Sequence, residues 1–537
     1  MRLDCKPKNS NCLKNKSYIY FILFFVVLSY FLWLNSTAVF PDPDSFYHAA
    51  IVELMSNSGV IKDFDWLPLT TLNEVYVDHH FLYHLILVPL VLFLNPLVAM
   101  KLSGVIFASL AIIFFYWFLR RHKIRYSLIY PLILICSHQF IFRMNLAKIP
   151  SLSLIFLLIF LYCLFRREDK WSWRIFMICF FYVWLYGGWV IMAGIGLIYW
   201  FISGIYTWYN KKEGNILAVR YYILDIARVL FSRLNIKLLL NIMSGFIFGL
   251  VINPYFPKNL LFYWQQTIKI GLINYREIIS VGGEWYGFNI VDLIGTDVFV
   301  FILLVVSIGF FFLNLKKQNV KNWTLFFVVI IFFFLTVKSK RNIEYFVPLS
   351  LIFSAFTIDS ILDKNKMIRC KNWIKDFVDK KKFLAVLLAI LTILQIPIIV
   401  GFNYVGLKRA LGQGYNFNQF YGVAQWLADN TIQGDIVFHD DWSYWSVLFY
   451  RNKSNRYIIG LDPTFMYLQD HNKYWLWHDI TLGKVSGDVC KKIKDEFGAA
   501  YVLVRKENKI MVDNIEKDKA CVKVYSDNEV DVYAINV

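Results

Sequence analysis

Apolar runs of span length recur along almost the whole chain, and each has few structural options. They lie near residues 17–34, 98–119, 126–142, 151–165, 173–186, 188–207, 238–254, 296–314, 323–337, 343–361 and 383–401. A bilayer core of about 30 Å is crossed by about 20 apolar residues in a helix. Backbone amides there must be satisfied within the segment, which leaves helices or closed barrels. Several runs are short, and neighbouring helices or local thinning accommodate that. Only 18% of the 537 residues are charged and 58% are hydrophobic, whereas a soluble chain carries about 25% charged residues. Soluble, disordered and collagen-like classes are excluded. The expectation is a polytopic α-helical membrane protein with about eleven transmembrane helices.

The formal net charge of +18 falls mostly in short stretches between the runs, where the positive-inside rule puts Lys and Arg. Topology therefore explains it, and no nucleic-acid partner is called for. Lys6, Lys8, Lys14 and Lys16 precede the first run, which reads as an uncleaved helix with a cytoplasmic start. The run Phe81–Asn95 carries Pro89. If it spans, the later basic loops change sides; if it lies at the outer surface, the charge pattern is consistent. The second arrangement is the expected one, in a multi-pass plasma-membrane protein. It places residues 35–97, Arg143–Pro150, residues 255–295 and everything after Phe402 on the extracytoplasmic side.

Residues 1–401 then form the transmembrane domain, with outer loops 35–97 and 255–295. In 402–537 polar residues return and apolar runs shorten. Ile436–Phe438, Tyr457–Ile459 and Ala500–Val504 read as strands, and Phe420–Asp429, Trp442–Tyr450 and Val489–Phe497 as helices. That alternation predicts a small C-terminal α/β extracytoplasmic domain. His439-Asp440-Asp441-Trp442 follows its first strand, where ligand-facing residues gather. Cys490 and Cys521 share this segment and are close enough in sequence to pair, although spacing does not decide it.

Four groups could carry chemistry. Asp42 and Asp44 follow the first run, where paired carboxylates are costly unless solvated or holding a cation; the bland reading is a helix cap. Asp78-His79-His80 could bind a metal or a phosphate, or be a plain loop. Gly282-Gly283-Glu284 offers close backbone approach beside an acid, or a turn. Lys338, Lys340 and Arg341 stand on the outer side against the charge rule, with Arg143 facing the same way. An anionic lipid-linked substrate would recruit them, as would lipid headgroups or Glu344. All four groups share one side of the membrane, an arrangement suited to transfer from a polyprenyl phosphate.

Asp42-Pro43-Asp44-Ser45-Phe46-Tyr47, Asp78-His79-His80-Phe81, Trp184-Leu185-Tyr186-Gly187-Gly188-Trp189 and Ser280-Val281-Gly282-Gly283-Glu284 together resemble motifs of the C-type membrane glycosyltransferases (GT-C superfamily). The pattern is most similar to the catalytic subunit of oligosaccharyltransferase in its single-subunit bacterial and archaeal forms. The resemblance covers nearly the whole chain, loosely. It implies that Asp44 binds metal and orients the acceptor, that Glu284 is a catalytic metal ligand, and that Asp42 joins them. It implies a divalent metal, Mg2+ or Mn2+, and a donor phosphate bound by Arg341, Arg143, Lys148, His79 and His80. Two departures stand out. The short loop before the fourth span, Arg143–Pro150, lacks the usual acid and carries Lys148. The family's Trp-Trp-Asp motif aligns with His439-Asp440-Asp441, so only Asp441, followed by Trp442 and Tyr444, is left for acceptor binding.

The expected function is transfer of a sugar or oligosaccharide from a polyprenyl-(pyro)phosphate donor to a protein or glycan acceptor, among membrane lipids, as an oligosaccharyltransferase-like enzyme. A lipid or polysaccharide acceptor is the first alternative. A lipid-linked sugar transporter is the second, disfavoured because the spans are nearly free of charge.

Overall fold

The computed structural model describes residues 10–166, 172–211, 226–361 and 403–536, with 372, 376, 379–382 and 401 between the last two. The expected span 383–401, apart from its last residue, lies outside the described residues, as does most of the basic stretch Lys364–Lys382.

Among the described residues, four helices are long and apolar enough to cross a bilayer: Pro96–Arg121, Trp189–Asn210, Val320–Lys338 and Lys340–Ile361. Two bent pairs, His138–Asn145 with Pro150–Arg166 and Ile290–Thr296 with Val298–Leu313, make six if each pair is one span. The first pair bends by 109° just before Pro150, whose ring disfavours helical geometry in the residue ahead of it. The second bends by 99° at Asp297, which accepts a hydrogen bond from the Ser137 hydroxyl.

The expected span 126–142 is not one helix. It forms Ile129–Ile135 and His138–Asn145, broken at Cys136–Ser137. Ser137 spends its hydroxyl on Asp297, and the polar His138-Gln139 pair follows. The short turn Lys123–Leu128 aside, neighbouring runs fold close to where they were expected, as Ser10–Leu34, Ser172–Leu185 and Arg233–Val251. Phe81–Val91 is a helix of 11 residues with Pro89 inside it. At 1.5 Å per residue it reaches about 16 Å, too short to cross.

Beyond residue 415 five strands make one mixed sheet, ordered Arg456–Tyr457, Ile436–His439, Ala499–Arg505, Val530–Ile535, Cys521–Ser526. The first three run parallel and the last two join antiparallel. The antiparallel pair was not expected from sequence. Its edge strand carries Lys523 and leaves Val522 and Val524 exposed, so no apolar run announces it. A disulfide between Cys490 and Cys521 ties that edge to helix Val489–Phe497.

The stretch after the first helix is clamped to this sheet-bearing segment. Val39–Phe40 pairs with Tyr415–Asn416, the Trp66 indole donates to the Lys453 carbonyl, and Lys453 meets Glu53 at 2.8 Å. Trp445, Phe449, Phe64 and Tyr76 stack into the buried seam between them. Buried aromatic pairs of this kind dominate packing energetics, and a cavity opens beside them, with Tyr76 in its wall.

Candidate active site

A cavity of about 510 Å³ is lined by residues from stretches far apart in sequence, among them Asp42, Asp44, Arg143, Lys148, Glu284 and Arg341. Asp44 is the first residue of helix Asp44–Ser58, and Asp42 Oδ1 accepts the Ser45 amide at 3.3 Å. The capping role and the site role therefore coincide. A helix N-terminus favours anionic side chains, which concentrates carboxylate at this end of the cavity.

Lys148 comes from the bend between His138–Asn145 and Pro150–Arg166. Its ammonium lies 2.6 Å from Asp44 Oδ2 and 3.2 Å from Asp42 Oδ1. Burial would lower Lys148, but Asp42, Asp44 and Glu284 hold it well above its ordinary value. It stays charged.

Across the cavity Glu284 is held by two guanidinium groups. Arg143 Nη1 reaches its Oε2 at 2.5 Å and Arg341 Nη1 its Oε1 at 3.5 Å. Arg143 also binds Glu344 at 2.9 Å. Burial would raise Glu284, yet Arg143, Arg341 and Lys148 together hold it well below the usual carboxylate range. Arg341 donates to the Tyr186 hydroxyl at 3.1 Å and stands over the Trp285 ring at 5.1 Å. Stacking of that kind fixes a guanidinium plane for a phosphate.

These contacts bear on the expected divalent cation. Asp42 and Asp44 give an oxygen each to Lys148, and both Glu284 oxygens face arginines. A Mg2+ or Mn2+ ion needs several oxygen donors at about 2.0–2.6 Å and would stand against the Lys148 ammonium. Among the described residues no group of three or more acids, histidines or cysteines is placed to hold an ion. As paired here, Asp42, Asp44 and Glu284 do not fit a shared divalent cation. The positive charge between the two aspartates is the Lys148 ammonium.

His79 and His80 both line the cavity, though not as cations. Burial lowers His79 to about 4 and carries His80 well below its usual value. His79 lies against Gly187, where an added Cβ would come within 2.8 Å of its ring. Gly187 gives His79 that space, while Gly188 faces the Tyr186 ring. His80 is buried with both ring nitrogens unpartnered among the described residues.

Of the three expected acceptor residues, Trp442 lines the cavity. Asp441 and Tyr444 do not: they turn to Arg505, at 3.3 and 2.8 Å. Arg505 outcompetes the cavity because it pairs with Asp440 as well. Sequence reasoning missed Asp462, which lines the cavity after Leu461, a residue with positive φ. Burial pushes its carboxyl up to about 6, with Asp44 and Glu284 adding to the rise. Its only sequence signal was the Asp-Pro step before helix Thr464–Gln469.

No protein-family model and no curated protein matches the sequence. Solved structures do. The oligosaccharyltransferase AglB from Archaeoglobus fulgidus, in complex with an inhibitory peptide and a dolichol-phosphate, superposes with a TM-score of 0.62 at 15% identity over 97% of this chain and 74% of its own. A further structure of the Archaeoglobus enzyme, a complex with zinc and sulfate, gives 0.57. The arabinofuranosyltransferase AftD from Mycobacteria gives 0.56 at 13% identity over 97% of this chain and 40% of its own. ArnT from Cupriavidus metallidurans gives 0.54 at 13%, over 97% and 98%. All are GT-C structures, and the fold of this chain is the GT-C, oligosaccharyltransferase-like fold.

Proposed function

We propose that this chain is a membrane glycosyltransferase that moves a sugar or oligosaccharide from a polyprenyl-(pyro)phosphate donor to an acceptor on the extracytoplasmic side. One observation carries the reading: three cations, Lys148, Arg143 and Arg341, converge on a single cavity with Asp42, Asp44 and Glu284. Fixed cations of this kind stabilise charge that develops on a departing phosphate. Arg341, stacked and hydrogen-bonded, holds the donor phosphate, with Arg143 and Lys148 beside it. Asp44 orients the acceptor, and His79 and His80 supply neutral ring nitrogens to the donor. Neutralisation of the leaving group falls to Lys148, and no step passes through a metal ion. The resemblance to structures carrying a dolichol-phosphate or an acceptor peptide supports a lipid-linked donor and a transferase chemistry.

The topology follows from that reading: about eleven spans within residues 1–401, a cytoplasmic start, and an extracytoplasmic α/β domain over 402–537. The Cys490–Cys521 disulfide supports it, since such bonds persist on the oxidising side of the membrane. A second reading, a lipid or polysaccharide acceptor in place of a peptide, is favoured by Asp441 and Tyr444, which are engaged with Arg505 and away from the cavity.

The test is purified protein incubated with short-chain polyprenyl-phosphate-linked sugars, following release of polyprenyl phosphate by mass spectrometry. Release by the wild type and its loss in Asp44→Ala support the proposal. Equal release by the two proteins refutes the site, and none by the wild type across a panel of donors refutes the function.

A further inference from the structure

Three buried polar side chains form a continuous hydrogen-bonded line that ends at the cavity. Asp78, 2% exposed, accepts at Oδ2 from His84 Nδ1 at 2.7 Å. His84, fully buried, meets His48 Nδ1 through its Nε2, again at 2.7 Å. His48 lines the cavity, one helical turn after Asp44 in helix Asp44–Ser58.

The proton positions follow from the donors available. A carboxylate only accepts, so His84 Nδ1 carries a hydrogen and its Nε2 is a lone pair. That lone pair takes the Nδ1 hydrogen of His48. The tautomer of His48 is then fixed with Nε2 as an acceptor, the nitrogen that no residue of the relay uses. Asp78 Oδ1 accepts the His80 amide at 3.0 Å, which holds the carboxylate in place. A buried carboxylate steadies the imidazolium of a ring bonded to it, and here that contact reaches His48 through His84. Burying such a line in an apolar core is expensive unless every member is paired, and a merely structural tie would not need to end at the cavity.

The carboxylates of the site are poor candidates for the same task. Asp44 Oδ2 is held by Lys148 at 2.6 Å, and Glu284 by Arg143 at 2.5 Å. Their negative charge is already offset. Resting on the glycosyl-transfer reading above, we infer that His48 is the general base of the reaction, positioned by His84 and Asp78, and that the acceptor is accordingly a neutral hydroxyl. The acceptor oxygen bonds to the anomeric carbon as the bond from that carbon to the phosphate oxygen breaks. The hydroxyl proton passes to His48 Nε2 and then to the departing polyprenyl phosphate. Acceptor plus sugar phosphodiester thus becomes glycoside plus phosphate monoester, with no oxidant or further reactant. An acceptor that is already an anion would need no such base.

Water and azide separate these cases without knowledge of the natural acceptor, because attack by water sheds a proton and attack by azide does not. Farnesyl-phosphate-linked mannose, glucose and arabinose serve as donors, with free sugar and glycosyl azide measured by mass spectrometry at fixed sodium azide. In His48→Gln the ratio of glycosyl azide to free sugar rises by about 100-fold over wild type, the lower end of what a general base contributes. Asp78→Asn keeps the side-chain size and moves the ratio in the same direction, so the outcome does not hang on how His48→Gln folds. A wild type that cleaves donor while neither variant changes the ratio overturns the relay and leaves the transferase reading standing. A wild type that forms neither product from any of the three donors removes that reading, and the relay with it.

Discussion

The Lys148 ammonium stands 2.6 Å from the Asp44 carboxylate, in the place where the sequence pattern called for a divalent cation. That single pairing organises one end of the cavity: it offsets carboxylate charge from two aspartates and sets an ammonium at the cavity wall. The helix that presents Asp44 and the bend that presents Lys148 are 104 residues apart in sequence, and only tertiary packing brings them together.

If the lysine does the work of the ion, the enzyme is indifferent to chelation. Turnover of a lipid-linked sugar at neutral pH is unchanged by excess EDTA and not increased by Mg2+ or Mn2+. Lys148→Met, which nearly keeps the length but drops the charge, lowers the initial rate by about 100-fold or more, as loss of a fixed electrostatic contact to developing charge does. Loss of wild-type activity on chelation would return the metal to the site.

Arg143 bridges Glu284 and Glu344 at 2.5 and 2.9 Å, and Glu344 is 1% exposed. Removing it strands a buried carboxylate. Arg143→Gln is expected to cost about 3–5 kcal/mol, the range for breaking a buried pair from one side, read as a lower midpoint in thermal unfolding in detergent. Arg341→Lys, by contrast, keeps the charge and loses the stacking on Trp285. Its expected signature is a raised KM for donor with a near-normal midpoint.

Gly187 has no room for a methyl group, since its added Cβ would stand 2.8 Å from His79. Gly187→Ala is expected to cost about 1–3 kcal/mol, as overpacking does, and to displace the histidine from the cavity. The paired change Gly187→Ala with His79→Ala restores the unfolding midpoint in part but not the activity.

The folded-state value of His79 is lowered to about 4 from 6.5 by burial. Between those two pH values the unfolded chain binds a proton there that the folded chain does not. Stability from this group is therefore present above about pH 6.5 and is lost as pH falls towards 4, by roughly 3 kcal/mol at one pKa unit per 1.36 kcal/mol. Asp462, raised to about 6, acts in the opposite direction over the same window, so the total curve hides the effect. The difference between wild type and His79→Asn isolates it: unfolding midpoints of the two converge on acidification. Parallel curves would contradict the assignment.

The disulfide closes a loop with a sequence separation of 31. Cys490→Ser with Cys521→Ser is expected to lose about 3 kcal/mol, within the usual 2–4, measured by thermal unfolding. Without reductant, alkylation of the denatured wild type leaves these two thiols unlabelled.

Much of this molecule was legible in its sequence because the signals are local. Helices crossing a bilayer announce themselves by length and hydropathy, and the described helices lie close to most of the apolar runs. The segment 126–142 is the exception. Its break at Cys136–Ser137 depends on a partner, Asp297, that is 160 residues away. The strands Ile436–His439 and Ala499–Arg505 were legible as short buried runs, whereas Cys521–Ser526 was not, because an edge strand with exposed valines and a lysine has no apolar face to read.

The site divides in the same way. Motif chemistry singled out the carboxylates Asp44 and Glu284 and the guanidinium of Arg341, and the resemblance added Lys148. Which of them touch was settled by packing: Lys148 between Asp42 and Asp44, two arginines on Glu284, and Arg505 drawing Asp441 and Tyr444 off the cavity. Asp462 and the His48–His84–Asp78 line were hidden for one reason. A hydrophobic run is a property of neighbours along the chain, but an ion pair or a proton relay is a distance across space, and that distance exists only once the helices have packed.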